Sequence, residues 1–307
     1  MIVYLTHWFT SEERARAVGL FMSAVAISNA VASPIGGFLL GVDWFGLSGW
    51  RWLFILEGIP SIIWGLVVLF TMDDWPKDAK WLPDHEKKHL ETVLMAEKES
   101  KPQNFVKSIR VGLFHPWVLT LAFVYFAIVT SLYGITFFSP STIKSIFGTS
   151  NLIVGIINGI LYTIAAISMI IVGRQSDRTN ERFFHSSLPM VVAFIGWLLF
   201  YLLLGHASPD TLFISLVIAA IGIYAAFPSF WPVPQSVLAG ETRAVAVGWV
   251  NSIGNLGGFV GPYIFGYFKE VTGTYAVGAL FLGIMALIGG VLLLTLRIAI
   301  KRSNVKV

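Results

Sequence analysis

The chain has 307 residues, 56% of them hydrophobic and only 12% charged, with 24 Phe, 11 Trp and no Cys. Charged residues run at about 25% in soluble domains, so this composition argues against a water-exposed globular fold. The missing cysteine removes disulfides and thiolate metal sites, and the net charge of +4 acquires a meaning only from where its charges lie.

Uncharged apolar stretches of ~20 residues, long enough to cross a bilayer as a helix, predict eight spans at 17–41, 51–72, 116–138, 151–173, 186–205, 211–238, 244–268 and 275–296. The stretch from Met1 to Trp8 is apolar but too short to cross, and it reads as the tail of a span that began before residue 1. It lacks the basic start and small-residue cleavage site of a secretory signal. Segment 73–115 is the one sizeable polar stretch. Its eight basic residues are matched by eight acidic ones, and Pro83 followed by Asp84-His85-Glu86 predicts a short helix from Asp84 to about Ala96. Such charge balance suits a solvated tether between two membrane bundles, with a regulatory docking role as the other reading.

Positive charge sets the orientation. Eighteen of the 21 Lys and Arg lie in 9–16, 73–115, 174–185, 239–243 and the C-terminal tail, whereas the alternate loops hold only Arg51, Lys144 and Lys269. Basic loops stay cytoplasmic. The tail is therefore expected inside the cell, and the net charge is a topology signal with no bearing on nucleic acid.

A repeat supplies the architecture. Glu13, Arg14-Ala15, Ala17-Val18-Gly19, Pro34 and Gly37 reappear as Glu241, Arg243-Ala244, Ala246-Val247-Gly248, Pro262 and Gly266, about 229 residues further on. Parallel repeats this far apart are expected of a transporter made from two equivalent helical halves. The expected fold is an all-α membrane protein. Residues 1–72 would be the last two helices, and the tail of a third, of an N-terminal bundle; 73–115 a cytoplasmic linker; and 116–307 a complete C-terminal six-helix bundle with a short tail. Twelve spans in all would need roughly 113 residues ahead of Met1, so the chain reads as N-terminally truncated.

Trp8-Phe9 with Glu13-Arg14-Ala15-Arg16, Gly49-Trp50-Arg51-Trp52-Leu53-Phe54 with Glu57-Gly58, and Asp78-Ala79-Lys80-Trp81-Leu82 together resemble the major facilitator superfamily. More narrowly they are similar to its anion:cation symporter branch, the organic-anion permeases of the tartrate, phthalate and nicotinate type. The run Gly173-Arg174-Gln175-Ser176-Asp177-Arg178, continuing to Glu181-Arg182 and His185, is similar to the superfamily loop motif Gly-x-x-x-Asp-Arg. The chain departs from the family where Thr71-Met72-Asp73-Asp74 stands for Leu-Pro-Asp. The resemblance implies a multi-pass inner-membrane permease, moving a small carboxylate with H+ by alternating access, as a monomer with a cytoplasmic C-terminus. In that branch the coupling carboxylate and the substrate-binding arginine usually lie on the first and fourth helices, upstream of Met1.

The loop motif makes physical sense as a cytoplasmic gate. Gly173 would let two helices approach closely, and Asp177, Arg178 and Arg182 would pair with one another or with helix ends as that face closes. Glu241 with Arg243, and Glu13 with Arg14, would supply the facing parts. The same charges also satisfy the positive-inside rule without any gating role.

For substrate contact the candidates are Tyr224, Trp231 and Gln235, which with Pro228 fall on one helical stripe, and Asn251 and Asn255, which share a stripe with Gly258 and Pro262. Proline-freed carbonyls and amides at membrane depth are tolerated where they face protein or water, although amides also serve as packing contacts between helices. Tyr133 is a further candidate, followed by Tyr125, Thr136, Asn158, Tyr162, Asn29 and Ser23. The spans of the second half contain no Asp, Glu, Lys, Arg or His. Glu57 is the sole intramembrane acid, and an ionisable group in lipid is functional by default, with a structural role beside Arg51 as the alternative. Within the spans there is no nucleophile and base pair, metal-ligand spacing or carboxylate pair, so no enzyme, metal or cofactor is expected. The reading from another class is a transport-inactive relative, either a sensor or assembly partner or the product of a decayed gene.

Overall fold

In the computed structural model the backbone is described for residues 2–99, 112–237 and 240–302, and side chains for 4, 5, 7–10, 24–95, 112–235, 242 and 245–302. Every regular element among these residues is helical. The chain begins with α1 (Ile2–Trp8), α2 (Ser11–Leu39) and α3 (Gly49–Thr71), followed by the polar α4 (Asp84–Glu99). Then come α5 (Pro116–Phe147), α6 (Asn151–Thr179), α7 (Phe183–Leu203), α8 (Pro209–Phe230), α9 (Pro232–Val237), α10 (Gly240–Asn255), α11 (Gly257–Thr272) and α12 (Ala276–Arg302). By length and composition α3, α5, α6, α7, residues 209–235 and α12 are each able to cross a membrane.

All eight expected spans are present as helix, with three departures. The expected end of 116–138 is wrong, because α5 runs on to Phe147. Pro140 removes only one backbone donor from the helix, and nothing stops it until Gly148 adopts a left-handed φ of 60°. Lys144 therefore stands on the last turn of a helix and not in a loop.

The other two departures are breaks. Residues 211–238 form α8 and α9 with Trp231 between them, where Pro232 and Pro234 withhold two amide donors in succession. Residues 244–268 form α10 and α11 joined at Leu256, beside an Asn255 whose Nδ2 donates back to the Asn251 carbonyl at 2.8 Å.

Helices α5 to α12 share one core, in which Tyr162, Trp197, Phe200, Tyr224, Phe230 and Phe265 are fully buried. Lipid is as apolar as leucine, so close packing and interhelical hydrogen bonds must hold such a bundle together. One such bond runs from Trp197 Nε1 on α7 to Ser131 Oγ on α5 at 3.1 Å. Across the bundle, α2 lies along α6 with backbone nearly touching backbone. A β-carbon at Gly37 would sit 2.5 Å from the Asn151 carbonyl, and one at Gly155 would sit 2.4 Å from the Ser33 carbonyl. Beside this seam Asn158 Nδ2 donates to Ser33 Oγ at 2.9 Å.

By contrast α3 buries only Gly49, and its apolar flanks, including Phe54, Trp64 and Phe70, are exposed. The short α1 folds back on the polar segment: the Tyr4 hydroxyl donates to the Asp73 carbonyl at 3.2 Å, and the Trp8 ring stacks on Trp81.

Candidate functional site

Two cavities lie between α2 and the helices that face it. The central one, about 360 Å³, is walled by Val25 and Asn29 of α2, by Tyr125, Tyr133 and Thr136 of α5, by Tyr224 of α8 and by Asn255 of α10. The phenol of Tyr224 lies 3.4 Å from Thr136 Oγ1. Tyr162, edge-on to Tyr224, reaches Ser139 Oγ at 3.1 Å. These hydroxyls join α5, α6 and α8 behind the wall.

Of the expected substrate contacts, Tyr133, Tyr224 and Asn255 line this cavity, as do the weaker candidates Tyr125, Thr136 and Asn29. Asn251 does not line it; its Oδ1 accepts from Asn255 Nδ2 at 3.1 Å behind the wall. Trp231 and Gln235 are not part of the wall. The Trp231 indole is buried edge-on against Tyr125, with ring centres 4.7 Å apart, and beside Phe230. Trp231 keeps right-handed helical φ/ψ of −62° and −32°, so its packing against Tyr125 and Phe230, and not a change of helical path, keeps its indole off the wall. The side chain of Ser23 lies outside the described residues. Met169 and Phe227 also contribute to the wall, and no sequence signal separates such apolar positions from core.

The second cavity, about 370 Å³, reaches Leu40 and Asn151 near one end of the bundle. Asn29 and Thr136 line both cavities and so form the partition between them. Its other polar walls are Ser33, Asn158, Glu57 of α3 and Lys144 of α5. Lys144 Nζ donates to Asn151 Oδ1 at 2.6 Å. Sequence reading missed Lys144 as a cavity residue because it ended the helix too early.

At the opposite end the α6–α7 loop forms a connected charge cluster. Arg182 pairs with Asp177 and also donates to Ser176 Oγ at 3.1 Å. Glu181 is the centre of the cluster. Its carboxylate accepts the Phe184 amide at 2.8 Å and the His185 amide at 3.3 Å, meets His185 Nδ1 at 3.1 Å, and faces Arg297 Nε at 3.6 Å. Partial burial raises the Glu181 pKa, but the Phe184 and His185 hydrogen bonds and Arg297 outweigh that effect and hold it below its ordinary value. Arg297, counted from sequence only among the tail charges, also lies over the Phe184 ring at 4.0 Å. Arg178 is exposed.

Gly173 does not mark a forced close approach. A β-carbon there would meet Pro228 at 3.4 Å, an ordinary contact, since the side chain of Pro228 and not backbone faces it. The side chains of Glu13, Arg14, Glu241 and Arg243 lie outside the described residues.

Residues 1–187 match the profile of the Major Facilitator Superfamily. The chain belongs to this superfamily. A putative tartrate transporter of Agrobacterium vitis is 37% identical over 297 residues, covering 96% of this chain and 67% of the relative. A quinolone resistance transporter of Acinetobacter baumannii is 32% identical, over 95% of this chain and 67% of the relative. The crystal structure of a D-xylose-proton symporter superposes with a TM-score of 0.70 at 15% identity, over 95% of this chain and 65% of that one; at this identity the likeness shows the fold alone. The chain spans about two thirds of the length of the curated relatives it matches. As a facilitator-superfamily protein it is a multi-pass membrane protein from a family of transporters, not enzymes.

Proposed function

We propose that this facilitator-superfamily chain serves a secondary active transporter of the inner membrane that moves a small organic anion, a carboxylate, by alternating access coupled to protons. The observation that carries the reading is the central cavity between α2 and α5–α10, with its hydroxyl and amide wall of Tyr133, Thr136, Tyr224, Asn29 and Asn255. A polar wall inside helices this apolar costs free energy unless it meets water or a ligand. The carboxylate cargo is supported by the resemblance to organic-anion permeases and by the relative described as a putative tartrate transporter. Proton coupling draws on Glu57, the one carboxylate among the described residues that line the cavities. In this reading 1–72 belong to one half, 73–115 to the cytoplasmic connection and 116–307 to the other half. The Asp177–Arg182–Glu181 cluster and the C-terminus then face the cytoplasm, where the basic loops place them, and the protein works as a monomer.

One observation favours a second reading. On the side opposite α5 to α10 the described residues that wall the central cavity all belong to α2, which suits a chain that binds an anion without moving it. Vesicles containing the chain, supplied with radiolabelled tartrate and related carboxylates with and without an imposed pH gradient, separate the cases. Gradient-driven accumulation supports the transporter and its coupling, and gradient-independent accumulation removes the protons. Saturable binding without accumulation supports the second reading, and neither binding nor accumulation overturns both.

A further inference from the structure

The cavity on the far side of the Asn29–Thr136 partition has a composition that the central cavity lacks. Among the described residues lining the two cavities, Lys144 is the one cation and Glu57 the one anion, and both belong to this outer cavity. They stand on different walls, Lys144 on α5 and Glu57 on α3. An ammonium has three N–H donors, and Asn151 Oδ1 takes one of them at 2.6 Å. Asn158 provides a second, independent observation. It is 4% exposed, it lines the same cavity, and its Nδ2 is committed to Ser33. Its Oδ1 is buried without a hydrogen-bond partner. A buried acceptor of this kind costs free energy unless a donor arrives to meet it.

We propose that the outer cavity is a binding site for a small hydroxy-carboxylate, with Lys144 holding a carboxylate group and Asn158 Oδ1 accepting a hydroxyl proton. This assignment rests on the organic-anion reading above and adds a second site to it. Its volume of about 370 Å³ falls in the usual range for small-ligand pockets. A fully ionised dicarboxylate has acceptors only. It can satisfy Lys144 but leaves Asn158 Oδ1 unpaired, so a hydroxyl beside the carboxylate is what the pocket selects. Glu57 is the countercharge of the empty site: it balances Lys144 and competes with the incoming carboxylate for it.

The chain has no cysteine, so a single introduced thiol reports on its own cavity. S141C marks the outer cavity and V25C the central one, since Ser141 and Val25 line only those respective cavities. The measurement is the rate of maleimide labelling of the 307-residue chain in nanodiscs, with L-tartrate or succinate as probes. Tartrate should slow labelling of S141C, and succinate should need about tenfold higher concentration for the same protection. Adding K144Q should abolish the protection and K144R should retain it, N158A should make the two probes equal, and E57Q should strengthen protection several-fold. Protection of S141C that survives K144Q, or that E57Q leaves unchanged, overturns the assignment. Protection of V25C alone overturns the outer site while the organic-anion reading stands, and no protection of either thiol removes both. A K144Q chain that fails to elute as a single species leaves the decision to the N158A and E57Q arms.

Discussion

The seam between α2 and α6 closes on a pair of glycines beside the outer cavity, and Gly155→Ala tests how strongly that contact holds the two helices together. An ordinary β-carbon contact begins at 3.4 Å, whereas this one would lie 2.4 Å from the Ser33 carbonyl, 3.0 Å from Gly37 Cα and 3.2 Å from Pro34 Cα. All three obstacles are backbone or ring-anchored atoms, so no side chain can rotate away. α2 must withdraw by about 1 Å, the difference between 3.4 and 2.4. Inserting a methyl into such a seam costs about 1–3 kcal/mol. That cost falls on the arrangement with the seam closed and not on one with it parted, so the closed population should drop by a factor between about 5 and 150. The assay is maleimide labelling of A32C, on the outer cavity wall, in the otherwise thiol-free chain. G155A should speed labelling by at least fivefold, and G155V by more. Equal rates in all three backgrounds, with each chain still folded by circular dichroism, would refute the claim that this glycine pair holds the seam closed.

The remaining expectations concern the rest of the bundle. Glu181→Gln keeps the shape but loses the charge that the two α7 amides, His185 and Arg297 gather around, and by analogy with helix caps it should cost about 1 kcal/mol of thermal stability. Because the folded Glu181 pKa lies below the ordinary 4.5, that charge stabilises at pH above 4.5 and is lost as pH falls through the folded pKa. The melting difference between wild type and E181Q should therefore be full near pH 6 and shrink below 4.5, and a difference that grows on acidification contradicts the carboxylate's role. Ser131→Ala removes the acceptor of the buried Trp197 indole and should lower stability in the membrane by about 0.6–1.7 kcal/mol, measured as resistance to unfolding by a denaturing detergent.

The legible part of the molecule was what lipid dictates. A backbone in hydrocarbon must pair internally, as a helix or a closed barrel, and apolar runs of ~20 residues suit the helix, so the six helices long and apolar enough to cross among the described residues were legible from composition alone. What hydropathy does not encode is where a helix outlasts the membrane. α5 carries on through Pro140 to Gly148, and only this extension lifts Lys144 into the cavity that Glu57 also lines. Nor does it encode rotation about an axis. Tyr224 and Trp231 share a stripe of the helix, yet the Trp231 indole packs into the Tyr125–Phe230 cluster while Tyr224 stays on the wall. The α6–α7 loop charges were readable, but one partner of Glu181 is Arg297, more than a hundred positions away, and no local spacing points to it. Gly173 was assigned a packing role that Pro228 makes unnecessary.

The two broken helices locate the part of the structure built to move. Pro232 and Pro234 leave the carbonyls of Pro228 and Phe230 without their helical donors, and the second break, at Leu256, directly follows Asn255 of the central wall. Backbone carbonyls without helical donors persist at membrane depth only where they face protein or a water-filled cavity; at both junctions the φ/ψ stay right-handed helical, so these joints can flex without a change of helical path. Since α2 and α6 are clamped at the opposite end through Gly37 and Gly155, bending at these two joints is the way to open the cavity from the Arg182 end without disturbing that clamp. P232A/P234A restores both donors and should make 228–237 one continuous helix. The amides of 232 and 234 should then become protected from hydrogen exchange, and labelling of V25C should slow several-fold as the joint stiffens. Protected amides with an unchanged V25C rate would show that the break is a packing feature and that the hinge lies elsewhere.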